Sequence, residues 1–342
     1  GGQNTSNKIK QNPLFKDIND YNKYLLSLVG ILFLVVTGVI SYNLTNASYA
    51  KWSSSTESKN IIKLSVKSGM DATTFATKTV GTNGLELVTH TFATEYRYRG
   101  GDSVVKNYVT FNNETWRIIG IIPTEDTNGN VENRFKIIID KPKEYGFWNT
   151  TLDATANSRN NWITATLNTY LNNDYYNTLT SDAKSMIGTT KYYLGGYNTA
   201  SITTDVMWEY ERMNGGRKFY WGTNPIMQSD ANKKIAIMYA SDYGYGASKE
   251  CTSNLDDYDD SANCKTTNNW LDRSENTWLL SQGSGSSTYA FIVSSAGYVN
   301  SNYDVFSYAY AVRPVLTLSS NIQISGGEGT SDKPYQLDFS KK

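Results

Sequence analysis

The feature that most constrains this chain is a long apolar run near its N-terminus. The run from Tyr24 to Ala50 (YLLSLVGILFLVVTGVISYNLTNASYA) contains no charged residue, and positions 24–42 are almost all apolar. An uncharged apolar run of about 18 or more residues is typical of a membrane-spanning helix, whereas about 10 to 14 residues fit a signal-peptide core or a buried helix. Four lysines precede the run against two aspartates. Because short cytoplasmic flanks carry the basic excess, residues 1–23 are expected to be a cytoplasmic or N-terminal polar segment.

The sequence therefore predicts a transmembrane or filament-core helix over 24–42, with the rest of the chain outside the membrane. A second interpretation is a cleaved signal peptide, since Ser48-Tyr49-Ala50 before Lys51 has small residues at both positions that signal peptidase reads. A third is a buried helix of a soluble protein.

Composition limits the classes of function that remain. The 342 residues have a net charge of zero and only 19% charged residues, so the chain has no basic patch for nucleic acid. Aromatic residues make up 13%, including 26 Tyr and 8 Trp. Tyr favours strands and gives large contact area at a small entropic cost, which indicates a β-rich protein with binding surfaces.

The order of predicted elements indicates an α+β fold. Residues 43–95 are expected to form a stalk with short strands at Ile61 to Val66 and Leu85 to Phe92. From residue 96 the pattern predicts a hairpin with its turn at Asn112-Asn113, a second hairpin with its turn at Asp126 to Asn130, and a helix starting near Trp162.

Further elements are expected towards the C-terminus. Thr180 is placed to cap a short helix that ends at Ile187, and strands are predicted at Lys234 to Tyr239, Tyr289 to Ser294 and Ala311 to Leu318. The proline of that last run indicates an edge strand or a bulge. The long aromatic segment between Lys191 and Asp230 is predicted to be a functional loop.

The two cysteines lie close together in the sequence. Cys251 and Cys264 are the only cysteines of the chain. In an oxidising compartment such a pair is expected to form a disulfide that closes a short loop, and two free thiols are the alternative.

Between the cysteines lies an acidic run. Asp256, Asp257, Asp259 and Asp260 offer several carboxylate oxygens on a flexible loop, which is the ligand type that Ca²⁺ prefers. Calcium is therefore the candidate metal ion, although the run lacks the glycine and bidentate glutamate of an EF-hand. The alternative is a solvated acidic loop.

Aromatic residues outside the regular elements are the candidates for ligand binding. They exceed what a core needs from irregular segments, and aromatic side chains dominate many interfaces. The residues we select are Trp208, Trp221, Tyr243, Tyr245, Tyr303 and Tyr308. The alternative is that all of them pack in the core.

Four stretches carry a resemblance to a known group of proteins: NYVTFNNETWRIIGI, WITATLNTYLNNDYYNTL, CKTTNNWLDRSENTWLLS and AVRPVLTLSSNIQISGGEGTSDKPYQL. Together they resemble an uncharacterised extracellular domain of Gram-positive bacterial surface and pilin-like proteins. The final stretch is also similar to the end of C-type-lectin-like domains. This resemblance implies a β-rich, lectin-like extracellular domain over residues 96–342. The tripeptides of calcium-dependent sugar-binding lectins are missing, so their sugar site is not carried over.

No motif for catalysis accompanies these features. His90 is the single histidine, and no G-x-S-x-G or comparable nucleophile signature occurs with it. We expect a non-enzymatic cell-surface protein for adhesion, single-pass or assembled as a pilus-like filament or other homo-oligomer. Its expected partners are a glycan or protein on a host or neighbouring cell, and the membrane through the N-terminal helix. The alternative function is an extracellular hydrolase acting on glycans or the cell wall, using paired carboxylates.

Overall fold

The structure of the protein is a computed structural model. It describes residues 69–91, 93–150, 159–212, 226–228 and 233–340, the segment 226–228 by its backbone alone. Of these residues 21% are helical and 35% lie in strands. The expected α+β class with an N-terminal transmembrane helix is therefore wrong, because the described chain is mostly β-sheet. Across those ranges, none of the helices has the length and apolar character needed to cross a membrane. Residues 1–23 and the predicted helix over 24–42 lie outside the described residues.

Seventeen strands and six short α-helices make up the described part. The strands are β1 Met70–Asp71, β2 Leu85–Thr89, β3 Thr94–Tyr98, β4 Tyr108–Phe111, β5 Glu114–Glu125, β6 Val131–Ile139, β7 Glu144–Gly146, β8 Tyr192–Leu194, β9 Gly196–Tyr197, β10 Ile226–Gln228, β11 Thr277–Gly283, β12 Tyr289–Val293, β13 Val299–Asp304, β14 Tyr310–Val312, β15 Val315–Thr317, β16 Ile322–Gly326 and β17 Gln336–Phe339. The α-helices are α1 Ala72–Thr79, α2 Thr166–Tyr170, α3 Tyr176–Thr178, α4 Ser181–Met186, α5 Thr204–Arg212 and α6 Ala240–Gly246. A π-helical segment, Leu171–Tyr175, joins α2 to α3, and 3₁₀ turns occur at Trp162–Thr164, Leu255–Asp257 and Thr266–Asn268.

The first sheet is built around the long strand β5. Its order is β15-β6-β5-β3-β2, and β4 pairs with the first half of β5. The predicted turn between β4 and β5 is confirmed, because Asn112 and Asn113 both have positive φ angles, 55° and 57°. Such angles at two central residues define the turn that matches the twist of a hairpin, and Asn tolerates them better than most residues. The second predicted hairpin, β5 to β6, also forms.

The second large sheet has the order β13-β12-β11-β14-β7, with β9 paired to the far end of β11. Strand β11 is buried along its whole length. It pairs antiparallel with β12, and parallel with both β14 and β9. Two small sheets complete the fold, β1-β16-β17 and β10-β8.

The segment Ala311 to Leu318 links the two large sheets, and its prediction as one strand is wrong. β14 joins the second sheet through Ala311, and β15 joins the first through the pairing of Val315 with Ile138. The chain crosses between them at Arg313-Pro314. Proline has no backbone N–H to give to a ladder, and here its carbonyl accepts a hydrogen bond from Ile139 N at 3.1 Å. The buried Arg313 side chain donates to the carbonyls of Ile139 and Leu271.

The predicted helices are confirmed. The helical run begins at Trp162, whose side chain is buried against Trp148 with ring centroids 5.2 Å apart. Thr180 caps α4, since its Oγ1 accepts a hydrogen bond from Ala183 N at 3.2 Å. A Thr hydroxyl in this position satisfies one of the free N–H groups at the start of a helix.

Two segment predictions need correction. Lys234 to Tyr239 is not a strand, since it makes only an isolated bridge between Ala236 and Val315.

The part of residues 43–95 that the structure describes is not a stalk. Instead it supplies β1, α1, β2 and the first residues of β3 to the sheets of the described domain. Phe75 of α1 packs edge-on against Phe135 and Tyr335, with centroids 5.6 and 5.3 Å apart. The strand predicted at Ile61 to Val66 lies outside the described residues.

Candidate functional site

Three of the six aromatic candidates belong to the core. Trp208, Tyr243 and Tyr245 are 2%, 0% and 2% exposed. Their polar atoms are bonded internally: Trp208 Nε1 donates to Glu95, Tyr243 OH to the Gly297 carbonyl and Tyr245 OH to Asp205. Buried side chains with satisfied polar atoms do not meet a ligand at the surface, so their assignment to a binding surface was wrong. Trp221 lies outside the described residues.

The other two candidates, Tyr303 and Tyr308, meet at the surface together with Tyr310. We call these three residues the tyrosine cluster. Tyr308 is 45% exposed and stacks on Tyr310, with ring centroids 5.3 Å apart and planes inclined by 3°. Tyr303 contacts both rings with centroids 5.6 Å away. Tyr310 belongs to the same aromatic run, two residues beyond Tyr308, but is not one of the six selected candidates.

Strand geometry places these rings together. Tyr303 lies on β13 and Tyr310 on β14, and the two strands flank the pair β11 and β12 in one sheet. The buried Trp278 of β11 lies under Tyr310, with centroids 5.1 Å apart, and its Nε1 donates to the Gly146 carbonyl at 2.8 Å. Two of the three rings are therefore fixed on strands, whereas Tyr308 lies in the short connection between β13 and β14 and stacks on Tyr310.

The hydroxyl groups of Tyr303 and Tyr310 are uncharged at neutral pH. Partial burial and the neighbouring Tyr298 and Tyr308 raise the pKa of Tyr303. Partial burial, with Tyr303 and Tyr308, raises the pKa of Tyr310 to about 12. The cluster thus offers flat apolar faces and hydroxyls that can both donate and accept hydrogen bonds.

A group of buried charged residues lies inside the fold and joins α6 to the first sheet. Arg97 of β3 pairs with Gly120 of β5, and Gly120 pairs with Lys136 of β6, so the three residues form one row across the sheet. Gly120 carries no side chain, and a Cβ there would lie 2.2 Å from the Tyr96 carbonyl oxygen. Asp242 of α6 bridges the two cations, accepting from Arg97 Nη1 and Lys136 Nζ at 2.6 Å each.

Further charged residues extend this ionic network. Arg97 Nε also donates to Glu95 at 2.7 Å, and Glu95 accepts from Trp208 and His90. At the far side, Glu211 accepts hydrogen bonds from the Ser241 N–H, Ser241 Oγ, Ser281 Oγ and Arg212 Nη1. Three carboxylates thus face three cations, so the network of Glu95, Arg97, Lys136, Glu211, Arg212 and Asp242 is balanced in charge.

The pKa shifts of these groups follow from burial and pairing. Burial alone would raise the pKa of Asp242, but Lys136 and Arg97 lower it to about 2. Burial would also raise the pKa of Glu95, and Arg97 and the His90 hydrogen bond hold it well below its ordinary value. Burial lowers the pKa of Lys136, against the attraction of Asp242. Burial raises the pKa of Glu211. The four hydrogen-bond donors that point at its carboxylate act in the opposite direction, because they favour the charged form.

His90 has a structural environment. Its ring stacks on Trp208 at 3.7 Å with planes inclined by 2°, and its Nε2 lies 3.1 Å from Glu95 Oε2. The same carboxylate oxygen accepts from Arg97, so it is already engaged in an ion pair. This geometry holds the ring inside the fold and does not present it as a general base.

The predicted disulfide is confirmed, and the acidic run beside it does not gather into a metal site. Cys251 and Cys264 are bonded, with Cα atoms 5.0 Å apart. Asp257, Asp259 and Asp260 are exposed, and Asp256 accepts a hydrogen bond from the Ser201 hydroxyl. The described residues hold no group of three or more His, Cys, Asp or Glu side chains placed to bind a metal ion. The calcium prediction therefore gains no support from the structure.

These features define a mostly β-sheet domain with one disulfide, a buried ionic network and an exposed tyrosine cluster. Residues 138–320 match the model of a family described as a domain of unknown function, DUF6273. The match spans more than half of the chain, so the protein belongs to this family. It begins within β6 and includes both the disulfide and the tyrosine cluster. No curated protein and no solved structure matches the chain.

Proposed function

We propose that this protein is a non-enzymatic binding protein that acts outside the cytoplasm and recognises a carbohydrate at the tyrosine cluster. The observation that carries the proposal is the parallel stack of the exposed Tyr308 on the half-buried Tyr310, with Tyr303 beside it. The negative face of an aromatic ring attracts the C–H groups that one side of a sugar ring presents. The tyrosine hydroxyls can bond to the hydroxyls at its edge.

Two further observations support the proposal. Disulfides persist in oxidising compartments, and Cys251 is bonded to Cys264. The resemblance of residues 96–337 to an extracellular domain of Gram-positive surface proteins fits the same location. Adhesion to a neighbouring or host cell is the role we propose for such a module. The hydrolase alternative has no comparable observation in its favour.

A glycan array probed with the purified full-length chain tests the proposal. We expect binding to a restricted set of neutral glycans, and we expect a Tyr308→Ala variant to lose that binding. A protein that binds no glycan on the array, or a Tyr308→Ala variant that binds as well as the natural chain, would refute carbohydrate recognition at this cluster.

A further inference from the structure

A small pocket opens on the first sheet. It is separate from the tyrosine cluster, because different strands form its wall. Its volume is about 40 Å³, and strands β5, β6, β8 and β15 contribute to its wall. A water molecule needs about 10–15 Å³ on this scale, so the pocket has room for about three heavy atoms. That is the size of one carboxylate group and is far below the size of a drug-like ligand site. The residues that matter are Lys136, Thr190, Tyr192, Arg212, Tyr239 and Thr317.

The ionic network presents its cations to this pocket and keeps its carboxylates behind them. Lys136 and Arg212 line the pocket and retain 5% and 8% of their side-chain exposure, whereas Asp242 and Glu211 behind them have none. A third cation on the wall, Lys191, is neutralised by Glu125, which also lines the pocket, since Lys191 Nζ donates to that carboxylate at 2.7 Å. The field inside the pocket therefore favours a negative group, although the network as a whole is neutral.

Arg212 is held in a position that leaves hydrogen-bond donors unused. Its guanidinium lies between the rings of Trp208 and Tyr239, at 4.6 and 4.8 Å from their centroids. Nη1 donates to Glu211 and to two neighbours, whereas Nε and Nη2 donate to no partner among the described residues. A guanidinium edge with free donors and fixed aromatic neighbours is suited to two parallel bonds with a carboxylate.

A hydroxyl pair lies on the same wall. The Oγ1 atoms of Thr190 and Thr317 are hydrogen bonded to each other. Each hydroxyl has one proton, so the pair uses one and leaves the other for a further acceptor. The Tyr192 hydroxyl, which itself donates to the Lys234 carbonyl, is hydrogen bonded to Thr190, so a carboxylate in the pocket would take the place of the Tyr192 oxygen as acceptor of this proton.

From this arrangement we infer that the pocket binds a single carboxylate group of a ligand, held by Arg212, Lys136 and the hydroxyl pair. The carboxylate comes from an acidic sugar or from a peptide C-terminus, and both sources share this chemistry. The site is distinct from the tyrosine cluster, so it stands or falls independently of the proposed carbohydrate recognition.

Titration of the full-length chain with sodium acetate tests the inference, with sodium chloride at equal ionic strength as the reference. We expect acetate to raise the thermal unfolding temperature in a saturable way beyond chloride, because a ligand that binds only the folded state stabilises it. Arg212→Gln is expected to weaken acetate binding by about tenfold or more. Lys249→Gln, which removes an exposed cation paired with Glu86, should leave acetate binding unchanged.

A second variant allows the inference to be tested if Arg212→Gln does not fold. Thr190→Val keeps the shape of the side chain and removes its hydroxyl, and we expect it to weaken acetate binding several-fold. Equal effects of acetate and chloride would overturn the inference, because the pocket would then hold only water. Acetate binding that survives in both pocket variants would also overturn it. Where acetate binds, N-acetylglycine and glucuronate identify the source: the one that binds more tightly than acetate shows whether a peptide terminus or an acidic sugar is recognised.

Discussion

Lys136 Nζ donates a hydrogen bond of 2.6 Å to Asp242 Oδ2, and this contact joins β6 to the first turn of α6. The same oxygen accepts from the backbone N–H of Tyr239, which precedes the helix. Both side chains are buried, at 5% and 0% exposure. Asp242 therefore has two tasks, since it caps α6 and neutralises the cations of the first sheet. A carboxylate near a helix N-terminus is stabilised by the helix dipole as well.

The first prediction concerns this carboxylate. Asp242→Asn keeps the shape of the side chain but leaves Lys136 as a buried cation without a carboxylate partner, and Arg97 with Glu95 as its remaining partner. Removing one partner of a buried ion pair costs about 3–5 kcal/mol, so we expect the free energy of unfolding to fall by about that amount. Urea denaturation measures it. Glu86→Gln is the control, because Glu86 pairs with an exposed lysine and such pairs contribute little. An Asp242→Asn variant as stable as the natural chain would contradict a role in holding α6.

The second prediction is the response of stability to acid. Lys136 and Arg97 overcome the effect of burial and lower the pKa of Asp242 to about 2, against an ordinary value of 3.8. A carboxyl group with a lowered pKa in the folded state stabilises the fold above its unfolded pKa and loses that contribution as the pH falls through the folded value. We therefore expect the free energy of unfolding to fall between about pH 4 and pH 2.

Glu95 acts in the same direction, since its pKa is also held low. The measurement is urea denaturation at a series of pH values. The Asp242→Asn variant should show a shallower acid loss than the natural chain, because it lacks one of the two titrating groups. Parallel curves for the two proteins would assign the acid response to other carboxylates.

The hairpin turn provides a third prediction. Asn113 is exposed and has a φ of 57°, so its conformation and not its packing determines its contribution. Asn113→Ala should destabilise the fold by about 1 kcal/mol, since residues with a Cβ disfavour this region. Asn113→Gly should be neutral or stabilising, because Gly adopts positive φ freely. Thermal unfolding of the matched pair decides the matter, and equal stabilities of the two variants would mean that the turn does not depend on backbone preference.

The disulfide gives a fourth prediction. A bond between Cys251 and Cys264, 13 positions apart, closes a short loop and restricts the unfolded chain. For a loop of about 15 residues the chain-entropy model gives about 3 kcal/mol, and we expect a loss of that order in a variant with both cysteines replaced by alanine. Urea denaturation with and without reductant provides the measurement. Mass spectrometry of the protein from its natural source is the companion test, since two free thiols there would argue against an oxidising compartment.

The local features of this fold could be predicted from the sequence, whereas the ionic network could not. Asn112-Asn113 between two alternating runs signals a hairpin, and Thr180 before a helical pattern signals a cap, because the neighbouring residues alone determine both structures. Arg97 and Lys136 lie 145 and 106 positions from Asp242 in the sequence. Nothing local marks them as partners.

The segment Ala311 to Leu318 shows a second limit. Its apolar pattern predicted strand correctly for both β14 and β15, but a pattern of this kind does not reveal that the two halves belong to different sheets. The sequence also does not show which of the aromatic candidates are buried. Tyr243 and Tyr308 are the same residue type, each two positions before another tyrosine, and only the tertiary fold separates a core side chain from a surface one.

The last prediction tests the tyrosine cluster directly. Tyr308→Ala removes one ring of the stack, and we expect it to cost about 1–3 kcal/mol in affinity for the glycan identified on the array, because exposed aromatic anchors carry much of the binding energy of an interface. Its stability should change little, as 45% of the side chain is already in solvent.

Tyr145→Ala is the matched control. Tyr145 is a 61% exposed tyrosine on the neighbouring strand β7, and it pairs with Ala311, whereas Tyr310 pairs with Gly146. Residues that pair across antiparallel strands share a face, so Tyr145 points to the side of the sheet opposite the cluster. Isothermal titration calorimetry of both variants, with thermal unfolding alongside, separates the outcomes. An affinity loss in Tyr308→Ala alone supports recognition at the cluster. Equal losses in both variants would mean that exposed tyrosines act without a defined site, and no loss in either would place the ligand elsewhere on the domain.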